Sequence, residues 1–406
     1  MDALPSITVG RRERILVVGN PYLGDTVLAL PLLRGLRGAF PGHVIDLLAE
    51  GGAVGRLLAG CPHVDEVLRW ERPPRVPVAG GSRRRLRTAL ASLEATAGML
   101  RDRRYARAYL LKRSPSAALL AWHAGIPHRV GHATGLGRAL LTRAVRWRRD
   151  RHYADGLLDL LRIDGVPVDD GQIAHWGPAA AASARVASIL ARLPARRPRV
   201  FVAVRATDGR RQWPLDRWVD VLRRLVKEQG CEVVFCGGPD DAAALAAITA
   251  DLGTAAVHAH DLSEAVPLED VAALLGRMDL YLGVNSGLMH LAAACGTPTV
   301  AVFDAADAVR WRPRGAPHAI VCGRARHRGL AGWFARGVPG QAAGRFATGA
   351  AVRAVGVREV VAQAVGLLAA RRPPASLPTL DLRTGRRRYE VTVRPATVPD
   401  PLPAAG

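Results

Sequence analysis

The stretch from Met278 to Phe303 limits the folds open to this chain more than any other. An apolar run ends at Gly283, a turn follows at Asn285-Ser286-Gly287, then a helix of small residues, and then a second apolar run from Thr299. This order predicts a strand, a helix and a strand, the βαβ unit of parallel sheets. The helix N-terminus would offer free N–H groups and a positive dipole end. The turn is therefore a candidate phosphate site, although an ordinary turn has the same composition.

The length of the chain limits the number of domains, and its net charge indicates the kind of partner. The 406 residues suffice for two domains, and 57 Lys and Arg against 35 Asp and Glu give a net charge of +22. Such a charge favours anionic partners, namely nucleotides, phospholipid headgroups, anionic glycolipids or nucleic acid. Almost all of the cations are Arg in an Ala- and Gly-rich chain, so GC-rich coding explains the same composition without any function.

The sequence predicts a cytoplasmic protein, and peripheral contact with the inner face of the cell membrane stays open. Arg11, Arg12 and Arg14 lead directly into the first strand, so no signal peptide is expected. No apolar run approaches the roughly 18 residues that span a bilayer. The five cysteines lack Cys-x-x-Cys spacing and are expected to be small buried residues in a reducing compartment.

A basic helix is predicted over Ser82–Arg101. Its apolar positions, expected to face inward, are Leu86, Leu90, Leu93 and Ala97. Its basic residues are Arg83, Arg84, Arg85 and Arg87. Such a face is usually solvated, and the alternative is contact with an anionic membrane surface.

Strand–loop–helix units repeat on both sides of a Pro- and Arg-rich segment at 194–198. This pattern predicts an α/β protein with domains at 1–195 and 196–370, followed by a Pro/Arg-rich tail at 371–406 that is disordered or adds a strand elsewhere. Neither half has a Gly-x-Gly-x-x-Gly fingerprint. Two doubly wound domains are expected to face a central cleft at the carboxyl ends of their strands, where ligands bind.

The first loop resembles a Walker A loop in spacing but not in charge. Gly19–Thr26 follows the strand Ile15–Val18, and Asp25 stands where the phosphate-binding Lys belongs. A carboxylate there would repel a triphosphate, which excludes a P-loop ATPase. Asp25 either stabilises the N-terminus of the next helix or acts as a general base, and the local sequence leaves both open.

Four motifs in register make the chain resemble glycosyltransferase family 9, the ADP-heptose-dependent heptosyltransferases. They are the N-terminal segment from Ile15 through Asp25 to Pro41, Trp213-Pro214 with Arg211 before it, Gly237-Gly-Pro239 with an acidic residue after it, and Ser286–Ala293 with Gly296-Thr-Pro298. These motifs cover about residues 14–312, and the tail lies outside the resemblance.

The resemblance implies a GT-B architecture of two Rossmann-like domains, the acceptor mainly on the first and the donor nucleotide on the second. It implies inverting, metal-independent sugar transfer without a cofactor, from a nucleotide-sugar, with ADP-heptose expected, to a glycan, glycolipid or natural-product hydroxyl. The sequence has no Asp-x-Asp that would hold a metal-bound diphosphate. Cationic groups must then stabilise the leaving diphosphate.

The resemblance also assigns roles. Asp25 matches the family's base, and Arg211 matches a position usually held by Lys, so we expect it at the phosphates. The further donor-site candidates are Thr207, Gly238, Asp241 for the ribose, Asn285, the amides of Ser286, Gly287 and Leu288, and His290, for which helix packing is an equal alternative. The acceptor-site candidates are Asn20, Tyr22 and Gly24.

One departure concerns the sugar. The family usually has Asp before Ser-Gly, and here Asn285 removes a carboxylate that would accept from a sugar hydroxyl. A different heptose or a hexose therefore stays open as the donor sugar.

Three alternatives differ in class. A nucleotide-sugar epimerase would convert the donor without acceptor, and a non-catalytic scaffold would keep only the fold. A nucleic-acid binder would show a steep salt dependence. The last is disfavoured, because the chain has no nucleic-acid motif and only 5% aromatic residues for base stacking.

Overall fold

The computed structural model describes residues 13–50, 52–58, 60–70, 81–173, 175, 177–194, 197–323 and 349–370, without the side chains at 53 and 81–85. Two compact units make up the chain. The N-terminal unit is Met1–Arg192 with Ala265–Leu274 and Val309–Arg312, and the C-terminal unit is Leu193–Glu264, Leu275–Ala308 and Pro313–Gly406. The tail at 371–406 lies outside the described residues.

The N-terminal unit is built on a sheet of six parallel strands. They are β1 (Arg14–Val18), β2 (Val44–Glu50), β3 (Glu66–Trp70), β4 (Arg107–Leu110), β5 (His128–His132) and β6 (Arg143–Val145). Their order across the sheet is β3-β2-β1-β4-β5-β6. The short run Arg129-Val-Gly131 predicts an edge strand or a turn, but β5 pairs with β4 and β6 and is an interior strand. Ile15–Val18 are fully buried because β1 lies in the middle of a parallel sheet.

The C-terminal unit repeats this arrangement. Its strands are β7 (Arg199–Ala203), β8 (Glu232–Phe235), β9 (Ala259–Asp261), β10 (Leu280–Val284), β11 (Thr299–Asp304) and β12 (His318–Gly323). All pairs are parallel, and the order is β12-β11-β10-β7-β8-β9. Read in chain order, both sheets have the 3-2-1-4-5-6 order of a doubly wound fold, whose order reverses beside the first strand.

Helices connect the strands. They are α1 (Leu23–Leu28), α2 (Leu30–Ala39), α3 (Gly52–Leu57), α4 (Gly81–Asp102), α5 (Pro115–His123), α6 (Tyr153–Ile163), α7 (Ala180–Leu190), α8 (Leu215–Gln229), α9 (Ala242–Asp251), α10 (Val271–Leu275), α11 (Gly287–Ala294), α12 (Ala305–Trp311), α13 (Ala350–Arg353) and α14 (Val357–Ala369). None of those described is long and apolar enough to span a membrane.

The inward face predicted for α4 is wrong in its first half. Ala97 and Leu100 are buried, whereas Leu86 and Leu90 are 61% and 53% exposed. The 22-residue helix is about 33 Å long. Its five-residue neighbour β3 spans only about 17 Å. The helix is therefore longer than the sheet can cover.

Two smaller predictions also differ. The apolar run Ala255–His258 predicts a strand, but Gly253–His258 is a 3-10 turn and the strand follows it. Val257 in that turn is exposed, so it does not pack in the core as a strand residue would. Cys322 was expected to be buried, yet it is exposed because β12 is the edge strand.

Candidate functional site

Asp25 lies at the point where the strand order of the N-terminal sheet reverses. The loop after β1 leads into α1, and Asp25 is half-buried in the first turn of that helix. Tyr22 is the N-cap residue, half of its surface is exposed, and its carbonyl accepts hydrogen bonds from the Thr26 amide and Oγ1. Gly24 precedes Asp25 within the same turn. In doubly wound sheets this reversal point is where ligands bind.

A buried tyrosine faces this loop. The Tyr153 hydroxyl, at the start of α6, accepts a hydrogen bond from Asn20 Nδ2 at 2.7 Å. Burial raises the pKa of Tyr153, and the charge of Asp25 raises it further. The ring stacks on Trp311 with centroids 4.6 Å apart. The phenol is therefore held neutral beside the carboxylate, where it can donate a hydrogen bond.

Arg113 is one of the cations of this region, and Arg310 is another. Arg113 follows β4, the strand paired with β1, and its guanidinium lies 4.3 Å from the centroid of Trp147. Desolvation lowers its pKa although part of the side chain is exposed, and the charge of Asp25 opposes this shift. The guanidinium thus lies within electrostatic reach of Asp25.

The sequence did not single out Tyr153 or Arg113. Position was the signal that could have found them, because the sequence predicts a strand over 107–111, which Arg113 follows, and a helix over 152–161, at whose start Tyr153 lies. Both are polar residues next to elements of the first sheet. Neither lies in the motif that carries Asp25.

Arg211 lies at the corresponding point of the C-terminal sheet. The loop after β7 contains exposed Thr207 and a 3-10 turn, Gly209–Arg211. Asp208 caps this turn by accepting from the Arg210 amide at 3.1 Å. The hydrogen bond from the Arg210 side chain lowers the pKa of Asp208. The turn holds Arg211 next to the strand pair β7–β10, where the strand order reverses.

Asp307 joins two of the predicted donor-site residues. Its Oδ2 lies 3.3 Å from Arg211 Nε and accepts from Asn285 Nδ2 at 3.4 Å. Asn285 is 2% exposed and follows β10 directly. The sequence reasoning did not name Asp307, although it follows the apolar run of β11. A carboxylate therefore lies beside Asn285, and it is supplied by Asp307 of α12 and not by residue 285 itself.

The N-terminus of α11 supplies amides beside this cluster. Ser286 is the N-cap residue, but no side chain caps the helix, and Ser286 Oγ lies 3.1 Å from the Tyr281 hydroxyl instead. The amides of Gly287 and Leu288 belong to the first turn. His290 is 4% exposed within the helix, which fits the packing alternative better than a phosphate contact.

Asp241 and Gly238 follow β8, the strand next to β7. Asp241 Oδ2 accepts from the Gly238 amide at 2.8 Å, and its Oδ1 lies 3.6 Å from Arg205 Nε. One oxygen of the Asp241 carboxylate therefore stabilises the turn in which Asp241 itself lies. A role at a ribose stays a prediction for the remaining oxygen. No group of three or more metal-ligating side chains occurs within the described part of the chain.

Comparisons with known proteins identify a family and several relatives to which this chain is similar. A family model described as glycosyltransferase family 9 (heptosyltransferase) matches residues 95–329. Lipopolysaccharide heptosyltransferase 2 of Escherichia coli K12 is 27% identical over 317 residues, 71% of this chain and 82% of that protein. Its counterpart in Salmonella typhimurium is 28% identical over 305 residues, with the same coverage of both chains.

Solved structures agree on the fold. A family 9 glycosyltransferase from Veillonella parvula has a TM-score of 0.71 at 20% identity, over 88% of this chain and 98% of that one. ADP-heptose lipopolysaccharide heptosyltransferase II of E. coli has a TM-score of 0.69 at 22% identity, over 88% and 99%. The expected α/β fold of GT-B type is confirmed.

Proposed function

The chain belongs to glycosyltransferase family 9, the heptosyltransferase family, and from this we propose that it moves a heptose from ADP-heptose to an acceptor hydroxyl. The acceptor class is a glycan, a glycolipid or a natural product. The relatives are named lipopolysaccharide heptosyltransferases, and a further E. coli heptosyltransferase was solved with ADP. We propose that transfer inverts the anomeric centre and needs neither metal nor cofactor.

The observation that carries this proposal is the set of cationic and amide groups at the point where the strand order of the C-terminal sheet reverses. Arg211 and the uncapped N-terminus of α11 flank β7 and β10. Both offer positive potential to a diphosphate, one as a guanidinium fork and the other as oriented amides. Asp307 is a positioning residue in this proposal, since its Oδ2 lies 3.3 Å from Arg211 Nε and fixes that edge of the guanidinium.

Asp25 takes the acceptor proton in this proposal. As the acceptor oxygen forms its bond to the sugar C1, the bond from C1 to the diphosphate oxygen breaks and ADP leaves with the electron pair. The hydroxyl proton passes to the Asp25 carboxylate. Asn20 orients Tyr153 beside this carboxylate, and Arg113 keeps the local potential positive.

We also propose peripheral contact with an anionic membrane, through the first half of α4. Leu86 and Leu90 are exposed there, and Arg87 lies beside them on the helix. Exposed leucines with neighbouring arginines are the composition of helices that lie on anionic bilayers.

Replacing Asp25 by Asn tests the mechanism. We expect the transfer rate to fall by about 10²–10⁴-fold, the usual contribution of a general base. ADP affinity should stay within twofold, since nucleotide contacts lie in the C-terminal unit. The assay follows release of ADP from ADP-heptose with an acceptor extract, with and without EDTA, and the product anomer is read by NMR.

Asp216→Asn is the matched control, because Asp216 is also a first-turn carboxylate but is exposed on α8. It should transfer at the wild-type rate. A fully active Asp25→Asn protein would remove Asp25 from the role of base. Conversion of the donor without any acceptor would favour the epimerase alternative instead.

A further inference from the structure

The serine at the start of α11 has the backbone of a helix cap, but its side chain does not cap the helix. Ser286 is the N-cap residue, and its φ of −140° and ψ of 171° lie in the extended region from which an N-cap serine accepts an amide hydrogen. Its hydroxyl nevertheless makes no capping hydrogen bond. Rotation of the side chain alone would bring the oxygen to the helix amides, so another group must hold it away.

A buried tyrosine is that group. Ser286 Oγ lies 3.1 Å from the hydroxyl of Tyr281, within hydrogen-bond distance. Tyr281 is fully buried in β10, and its ring stacks on Phe201 with centroids 5.8 Å apart. Burial raises the pKa of the phenol, so the hydroxyl keeps its hydrogen. A buried hydroxyl without a partner is costly, and Ser286 supplies the partner that this phenol needs.

Gly283 leaves the space through which the tyrosine reaches Ser286. Residues 281 and 283 lie on the same face of β10, because side chains alternate along a strand. A Cβ at Gly283 would lie 2.6 Å from the Tyr281 hydroxyl and 2.9 Å from Cε1 of the ring. The tyrosine therefore lies over the glycine and points along the strand to its carboxyl end, where α11 begins.

We propose that Tyr281 is a positioning residue of the donor site, which keeps the N-terminus of α11 open for the diphosphate by holding the Ser286 hydroxyl away from the helix amides. This inference rests on the proposed transferase function and adds a buried residue behind the site. Without the phenol, Ser286 Oγ would accept from the Leu288 or Met289 amide, the usual partners of an N-cap side chain. The diphosphate would then compete with this cap for the same N–H groups.

The test measures ADP affinity by calorimetry on the full chain, in a double-mutant cycle. Tyr281→Phe removes the hydroxyl and keeps the ring that stacks on Phe201. This change should weaken ADP binding about fivefold, because the nucleotide must displace a hydrogen bond of N-cap strength. In the Ser286→Ala background, Tyr281→Phe should change the affinity less than twofold, since no hydroxyl is left to cap the helix.

Urea unfolding without ADP separates this role from a general loss of stability. The new cap should offset the lost phenol hydrogen bond, so the urea midpoint of Tyr281→Phe should stay close to that of the wild type. Tyr105→Phe is the matched control, because Tyr105 is also buried and its hydroxyl donates to Asp46 Oδ2 at 2.6 Å in the N-terminal unit. The control should lower the urea midpoint and leave the ADP affinity unchanged.

Wild-type ADP affinity in Tyr281→Phe would overturn the proposal. Equal weakening by Tyr281→Phe in both backgrounds would also overturn it, because the tyrosine would then act through packing and not through Ser286. Either result, with ADP bound by the wild type, contradicts this inference alone. A wild type that does not bind ADP contradicts the proposed function instead.

Discussion

At the scale of single residues, the candidate functional side chains lie at positions that the strand order of each sheet determines. Asp25 and Arg211 each follow the first strand of a doubly wound sheet. The motifs single out these two candidates because each lies in a contiguous stretch, and their roles stay predictions. Tyr153, Arg113 and Asp307 were missed because they reach the same places from other elements. A single sequence does not encode such neighbourhoods in its spacing.

A buried carboxylate, Asp164, contributes to the acid stability of the N-terminal unit. Burial raises the pKa of Asp164, but hydrogen bonds from His128 and Tyr109 and the charge of Arg107 outweigh burial and hold the pKa below its usual range. The group therefore stabilises the fold at pH values above its unfolded pKa, roughly 3.9, and this contribution is lost as the pH falls below it.

Asp164→Asn should lower the free energy of unfolding by about 1–3 kcal/mol at pH 7, the size of charged hydrogen bonds. The difference from the wild type should shrink toward pH 3. Urea unfolding at several pH values measures it. Asp220→Asn, at an exposed position on α8, is the control and should change little. A constant difference across this pH range would contradict the assignment.

At the scale of elements, the approach of β10 to β7 depends on one glycine. Gly283 and Ala203 are register partners. A Cβ at Gly283 would lie 2.6 Å from the Tyr281 hydroxyl and 2.8 Å from the Ala203 carbonyl oxygen. Both distances are too short for a real contact, so the strands or the tyrosine would have to move.

Gly283→Ala should therefore destabilise the C-terminal unit by about 1–3 kcal/mol. It should also weaken ADP binding, because Tyr281 contacts Ser286 at the N-terminus of α11. Gly366→Ala is the control, since no atom lies within 4 Å of its Cβ and it is inside α14. That variant should gain up to about 1 kcal/mol. Equal stability of the two variants in urea would disprove the close approach.

The type of each helix or strand was predictable from the sequence, whereas the side of it that is buried was less predictable. Buried strands such as β1 and β7 gave continuous apolar runs, and the helix α8 ends at Gln229, before Gly230 with its positive φ. Periodicity in α4 identified a helix but not its inner face. The reason is length, because the sheet that would cover the first half of the helix is too short.

The exposed half of α4 makes the membrane contact testable. Replacing both Leu86 and Leu90 by Glu should reduce binding to phosphatidylserine vesicles at least fivefold, because it removes apolar surface and adds repulsive charge. The melting temperature should change little, since both residues are exposed. Val257→Glu, at an exposed position of the C-terminal unit, is the control for vesicle sedimentation. Unchanged sedimentation of the double variant would exclude α4 as the contact.

At the scale of the whole molecule, two sheets with the same strand order divide the proposed work. The N-terminal unit contains Asp25, the proposed base, and the C-terminal unit contains the groups proposed to bind a diphosphate. The predicted boundary at 195 and 196 and the assignment of acceptor and donor to the two halves stay predictions. The family and the fold were predictable from motifs in register, whereas acceptor identity depends on side chains from several loops.

The central claim is that the C-terminal unit binds the ADP of a nucleotide-sugar. The most direct measurement is thermal stabilisation by ADP, UDP, GDP and dTDP at equal concentration, for the wild type and for Arg211→Gln. We expect a shift with ADP alone, corresponding to about 2.7 kcal/mol at a hundred times the dissociation constant, and its loss in the variant. A shift with another nucleotide, or with none, would contradict the ADP-dependent account.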